Sequence, residues 1–362
     1  MPREVQRLRR RREALPFAAV LPLVAALLLL LLPGRVPSAP LLAVSPDPPS
    51  PCVFTGVEKI VAIGDLHGAY DPFVEILTDL KIIDRRLHWI AGKTHLVQMG
   101  DVMDRGPAAR EILDLIRRLE IEAGEAGGAV HMLLGNHEEM NILGLSFEIK
   151  GYVTPEQFRA FLPDWIRNRK DAEFEAEAST YGEYNLLWER YMEGNPQARN
   201  VYTKYFNEHY GRWLAGHPVV IKINDVVFVH GGLTEALSTQ PCELINSATA
   251  HEFDRYFWKE EFAWSWLYQT RGPLWYRDLA TKDEETIREE TDRILANLGA
   301  RAIVVGHTPT AAVVFGRSNS RLGGKIWIID TGIWMKEGGY KSALIITDGK
   351  FQMKSLPRRK AR

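Results

Sequence analysis

Residues 61–70 read VAIGDLHGAY, an apolar run that stops at Gly64, Asp65, His67 and Gly68. Gly and Asp are ordinary turn residues, and a single D-x-H fits a plain surface turn. Repetition gives the stretch its weight. A short run rich in Val and Ile, closed by a polar residue beside glycine, occurs in KIVAIGD ending at Asp65, THLVQMGD at Asp101 and AVHMLLGNH at Asn136 and His137. It returns in DVVFVHGG at His230, RAIVVGH at His307 and KIWIIDTG at Asp330. Runs of this length bounded by glycine read as buried strands rather than amphipathic helices. Between the early runs lie the helical patterns DPFVEILTDLKII and PAAREILDLIRRLEIEAG. Before AIVVGH lies DEETIREETDRILANLG, with Ile287, Ile294, Leu295 and Leu298 at helical spacing. Strand, helix, strand is the signature of crossover connections in a helix-covered sheet, so the expected fold class is α/β, a layered α+β sandwich. In open sheets of this kind ligands sit beyond the carboxyl ends of the strands, where these polar residues fall.

The chain has 362 residues, 46% hydrophobic and 25% charged, enough to bury a full core. Its 45 basic and 46 acidic residues balance, which removes the electrostatic argument for a nucleic-acid partner. Residues 1–14 form a basic flank with six arginines, and residues 15–34, LPFAAVLPLVAALLLLLLPG, form an apolar run without a charge. The run lies between a long signal-peptide core and a short membrane span in length. Pro40 would follow a cut after Ala39, so an uncleaved anchor is the preferred reading, with an organelle transit sequence as the alternative. The basic flank then leaves the remainder on the non-cytoplasmic side. Residues 35–52 carry Pro37, Pro40, Pro46, Pro48, Pro49 and Pro51 and read as an extended linker. A catalytic domain is expected over 53–350, with a mainly helical insertion at about 145–215 and a basic tail over 351–362.

Asp65, His67, Asp101, Asn136, His230 and His307 supply two carboxylates, one amide and three imidazoles. Mixed oxygen and nitrogen donors without thiolates suit Mn, Fe or Zn, and six donors exceed what one tetrahedral ion uses. Two divalent ions sharing a carboxylate fit this inventory; such a pair, roughly 3.5–4 Å apart, activates a water and clamps oxygens in phosphoryl hydrolysis. Taken singly, Asp65, Asp101 and Asn136 could be turn or cap residues and the histidines core residues; their joint occurrence at strand ends argues against that.

In chain order, GDLHG (64–68), GDVMDRG (100–106), GNHE (135–138), HGG (230–232) and GHT (306–308) resemble the signature of calcineurin-like metallophosphoesterases. The DRG and GNHE forms point to the phosphoprotein phosphatase branch, and LHWIAGKTHLVQMGDVMDRG and GPLWYRDLA look similar to the Shewanella-like protein phosphatases. The resemblance covers about 57–345. It implies that Asp65 and His67 hold one metal, that Asp101 bridges, and that Asn136, His230 and His307 hold the second. It further implies His137 as general acid, oriented by Asp104. Phosphate needs a guanidinium fork, for which Arg105 is the first candidate and Arg277 is preferred over Arg271 for the second. The substrate would be a phosphoprotein or another phosphomonoester.

The chain departs from the eukaryotic serine/threonine enzymes in lacking Ser-Ala-Pro-Asn-Tyr, IDTGIW (329–334) standing in its place. Serine/threonine against tyrosine preference therefore stays open. Asp330 is read as a strand-end turn residue and His217 as packing or capping. Trp264, Trp266, Trp275 and Trp334 could be core residues or line a groove for an aromatic leaving group. Cys52 and Cys242 could form a disulfide or remain two buried thiols. A nucleotide or dinucleoside-polyphosphate hydrolase, and an inactive binding module on the same fold, are the competing functions.

Overall fold

A computed structural model describes residues 51–162, 196–257, 269–309, 319–335 and 339–356. The apolar segment 15–34, nearly all of the linker, and residues 163–195 of the insertion lie outside the described residues. Among the described residues no helix is long and apolar enough to cross a membrane.

All six of the repeated runs are strands. β1 (Val53–Phe54), β2 (Lys59–Ile63), β3 (His95–Gln98), β4 (Ala129–Met132), β5 (Val220–Ile223) and β6 (Val226–Val229) come first in the chain. β7 (Ala302–Val305), β8 (Ser320–Arg321), β9 (Ile326–Ile328), β10 (Ser342–Thr347) and β11 (Lys350–Ser355) follow. They form a five-stranded sheet in the order β11-β10-β2-β3-β4 and a six-stranded sheet in the order β1-β5-β6-β7-β9-β8. β2, β3 and β4 run parallel in the first sheet, and β6, β7 and β9 run parallel in the second. Each sheet thus contributes three strand ends that carry the polar residues.

The two-residue period of a strand explains the layering. Ile60 and Ala62 of β2, Val226 and Phe228 of β6, and Ala302 and Val304 of β7 share one buried cluster between the sheets. The alternate residues Val61, Ile63, Val227, Val229, Ile303 and Val305 face the other way, into clusters completed by helices. Helix α1 (Tyr70–Asp79) contributes Phe73, Ile76 and Leu77, and α2 (Ala109–Glu125) contributes Ile112, Leu113, Ile116 and Leu119. Strands covered on both faces read as continuous apolar runs, which is why the sequence shows no alternation there.

Beyond β4, α3 (Asn136–Leu143) leads into the insertion, where α4 (Pro155–Ala160) and α5 (Pro196–Phe206) are two of the described helices; no strand occurs among the described residues of 145–215. The longer described helices of the second half are α6 (Cys242–Phe257) and α7 (Glu284–Leu298), and α7 buries Ile287, Ile294 and Leu295 as their spacing predicts.

Two expected boundaries differ. Residues 351–355, expected in the tail, belong to β11 (Lys350–Ser355), which pairs antiparallel with β10 along its whole length. Its polar, alternating composition reflects an outer strand with one wet face. Cys52, placed in the linker, is fully buried and disulfide-bonded to Cys242 at the start of α6. Its carbonyl also accepts the Lys222 N–H at 2.7 Å, so the fold includes it.

Candidate active site

The loops after β2, β3, β4, β6, β7 and β9 bring Asp65, Asp101, Asn136, His230, His307 and Asp330 together, all nearly fully buried. Tight backbone geometry makes this convergence feasible. His67, Asp101 and His307 adopt φ of 44°, 56° and 62°, and Asp104 and Arg105 adopt 69° and 68°. Left-handed non-glycine residues cost of order 1–3 kcal/mol each and persist where the surroundings over-determine them. One such surrounding is the contact between the first two motifs: a Cβ on Gly106 would stand 2.2 Å from the His67 carbonyl oxygen. Another is Glu138, whose buried carboxylate accepts the N–H groups of Asp101, Val102, Met103 and Gly135 at 2.8–3.1 Å. Glu138 belongs to GNHE, yet sequence reasoning gave it no role, because its partners are backbone groups of a distant loop.

Ring hydrogen bonds fix which nitrogens are free. His67 Nδ1–H donates to Met103 O at 2.8 Å and His230 Nδ1–H to Met99 O at 2.8 Å, leaving both Nε2 lone pairs facing inward. His230 Nε2 lies 3.1 Å from Asn136 Oδ1, 3.2 Å from His307 Nδ1 and 3.3 Å from Asp101 Oδ1. On the other side, His67 Nε2 lies 3.7 Å from Asp101 Oδ2. Two sets of donors each fall within 4.8 Å, His67–Asp101–His137 and Asp101–His230–His307, and Asp101 belongs to both. Lone pairs aimed at one another in a buried space suit a cation between them, and the N/O chemistry suits Mn, Fe or Zn.

Asp65 is fixed by the loops after β7 and β9. Its oxygens accept the His307 N–H at 3.0 and 3.1 Å, and the Asp330 carboxyl lies beside it. Burial first, then the Asp330 and Asp101 charges, push the Asp65 carboxyl well above its ordinary range. Asp330 also accepts the Gly332 N–H at 3.0 Å, so it is both a turn residue and a carboxylate at the site. Burial drives the His67 imidazole down to about 3. Burial alone would raise Asp101, but the His230, His137 and His67 imidazoles hold it well below the usual range.

His137 receives the opposite treatment. Its Nδ1–H donates to Asp104 Oδ2 at 2.7 Å, and although burial pulls its pKa down, the Asp101 and Asp104 carboxylates raise it above the ordinary value. Arg105 reaches His137 Nε2 at 3.3 Å, with its guanidinium carbon 4.8 Å from the Trp334 ring and 5.3 Å from the Tyr152 ring. Arg277 Nη1 donates to His307 O at 2.7 Å and Thr308 Oγ1 at 3.1 Å, and Nη2 lies 3.5 Å from His307 Nδ1. Arg271 is exposed, and no hydrogen bond or ion pair joins it to the site among the described residues. His217 caps Trp213 O and pairs with Glu120, away from the site. Trp275 donates to Glu139 and edges His307; Trp264 and Trp266 lie outside the described residues.

Residues 58–311 match the sequence profile described as Calcineurin-like phosphoesterase. The chain belongs to that family. This phosphoesterase is 27% identical over 279 residues to Shewanella-like protein phosphatase 1 of Plasmodium berghei (strain Anka), covering 76% of this chain and 67% of the relative. It is 34% identical over 191 residues to Shewanella-like protein phosphatase 2 of Arabidopsis thaliana, covering 50% of this chain and 48% of the relative. Among solved structures it resembles a mutant of a cold-active protein tyrosine phosphatase. The TM-score is 0.64 at 26% identity, over 85% of this chain and 82% of that one. The phosphoesterase is accordingly a metal-dependent hydrolase of phosphate esters on an α/β sandwich, as the strand-end motifs imply.

Proposed function

We propose that this phosphoesterase is a two-metal phosphomonoesterase acting on phosphoproteins, with phosphotyrosine among its substrates. The observation that carries the proposal is the His137–Asp104 pair at 2.7 Å, set against the two donor groups that share Asp101. Two divalent ions, with Mn proposed ahead of Fe and Zn, would supply positive charge and an activated water when bound. Asp65, His67 and Asp101 on one side and Asp101, Asn136, His230 and His307 on the other would hold them. Arg105, beside His137, and Arg277, beside His307, then bind phosphate oxygens. His137 gives its Nε2 proton to the departing oxygen while Asp104 keeps Nδ1 protonated and the ring fixed. Such a donor matters for alkyl and phenolic leaving groups, which depart poorly as anions.

Resemblance to a protein tyrosine phosphatase, together with Tyr152 and Trp334 beside Arg105, favours an aromatic leaving group. The dinucleoside-polyphosphate reading has narrower support. A symmetrical bis(5'-nucleosyl)-tetraphosphatase from Cronobacter sakazakii matches over 76 residues only, 21% of this chain. The basic flank and apolar run at 1–34 favour a membrane tether with the catalytic domain on the non-cytoplasmic side. The test is a panel of phosphotyrosine peptide, phosphoserine peptide and dinucleoside tetraphosphate, offered with Mn²⁺ to the full-length protein. The phosphopeptides should be cleaved with kcat/KM at least tenfold above the dinucleotide; the reverse order contradicts the proposal.

A further inference from the structure

The insertion offers an observation that the phosphatase reading does not use. Gln157, in α4, is fully buried, and its side-chain polar atoms turn to the loop after β3 and its neighbours. Oε1 accepts the Asp104 N–H at 2.7 Å. Nε2 lies 2.9 Å from Asp104 Oδ1, 3.0 Å from Tyr202 Oη and 3.2 Å from Asn141 Oδ1. The backbone N–H accepted by Oε1 fixes which way the amide points.

Asp104 and Arg105 are consecutive left-handed residues, neither a glycine. Each would relax toward the ordinary α or β region if released, and relaxation would swing both side chains away from His137. Two hydrogen bonds from the insertion oppose this: Asp104 N–H to Gln157, and Arg105 N–H to Tyr152 O at 2.7 Å. Asp104 is held equally firmly at its carboxylate. Oδ1 accepts from Asn141 and Gln157, and Oδ2 accepts from His137 Nδ1 and the Ser146 hydroxyl. Tyr202 closes the network by donating to Asn141 Oδ1 at 2.9 Å, its ring stacked on Phe158 and Phe206. A buried amide is costly unless its groups are partnered, so an apolar residue would serve a purely packing role better.

We infer that the helical insertion is a working part of the active site and that Gln157 is its positioning residue, holding Asp104 and Arg105 in the turn that aims His137. The inference rests on the proposed phosphomonoesterase reading only for its kinetic consequence. Gln157 touches no substrate and acts through Asp104.

The experiment compares full-length wild type with Gln157→Glu and Tyr202→Phe. The Glu variant keeps an acceptor for the Asp104 N–H but sets a second carboxylate against Asp104 Oδ1. The Phe variant keeps the aromatic stack and deletes one hydroxyl, so it remains informative if the first fails to fold. Proton–nitrogen spectra of the metal-free protein read the His137 Nδ1–H resonance, and kcat/KM is taken on nitrophenyl phosphate and on an alkyl phosphate. Gln157→Glu should lose or displace the Nδ1–H resonance. It should also lose at least tenfold more rate on the alkyl than on the nitrophenyl ester, with no further loss when combined with His137→Ala. Tyr202→Phe should move both readouts in the same direction by less. An unchanged resonance with equal loss on both esters overturns the inference. Wild type that cleaves neither ester overturns the phosphomonoesterase reading instead, and the resonance still decides the role of Gln157.

Discussion

A histidine that delivers a proton and a histidine that holds a cation need opposite surroundings, and this site provides both within a few ångströms. His67 and His230 spend Nδ1–H on backbone carbonyls and present bare Nε2 atoms, whereas His137 spends Nδ1–H on a carboxylate that favours its protonated form. His137→Ala should therefore keep the metals and lose about 10²–10⁴-fold on alkyl phosphates, with a much smaller loss on nitrophenyl phosphate. Because the His137 pKa is raised, its proton leaves only as pH climbs above the ordinary imidazole range. The alkaline limb of alkyl-phosphate turnover should lie there and vanish in the variant. Arg277→Ala should raise KM for phosphoesters at least tenfold while Arg271→Ala leaves it unchanged; a rise confined to Arg271→Ala would reverse the assignment. The donors could be read in the sequence because metal chemistry demands particular side chains and strand ends place them. Glu138 and Gln157 could not, since a carboxylate or amide serving distant backbone N–H groups looks like any other polar residue until the chain is folded. Asp330 was seen, but its contact with Asp65 joins two loops far apart in sequence.

At the level of elements, chemistry-bearing strands announced themselves and the others did not. β2, β3, β4, β6, β7 and β9 end in motifs, whereas β10 ends in nothing reactive and β11 has a polar outer face. β1 is two residues long and is held by pairing to β5 and by the disulfide rather than by any local preference. That disulfide closes a separation of 190 residues. A Cys52→Ser/Cys242→Ser variant should lose about 2–5 kcal/mol of unfolding stability with its site chemistry intact. Phe54 of β1 also covers His95 and His131, which share a hydrogen bond of 2.9 Å. Burial and then the neighbouring His95 lower the His131 pKa from 6.5 to about 3. The unfolded chain therefore binds the extra proton between those values, and stability should fall as pH drops through that window, by up to ~1.4 kcal/mol per pH unit. His131→Gln should flatten this acid limb in denaturant titrations; an unchanged slope would exclude His131 as its source.

For the whole molecule, two sheets meet face to face and bring three strand ends from each to one place, so the core between them is what registers the two halves of the site. Phe228, fully buried in that layer, should cost about 3–5 kcal/mol when changed to Ala. The sandwich was legible because six short apolar runs end beside glycine and helical patterns lie between the early ones; the pairing of the runs into two sheets was not, since strand order depends on contacts between distant segments. The proposed function requires Asp101 to join two ion sites into one catalytic centre. The most direct measurement is the metal-to-protein ratio of the purified full-length chain and its Asp101→Asn variant after Mn²⁺ loading and removal of free ion. Two ions per wild-type chain and fewer than one in the variant are predicted; a wild-type ratio below one, or equal ratios in the two proteins, would contradict the account.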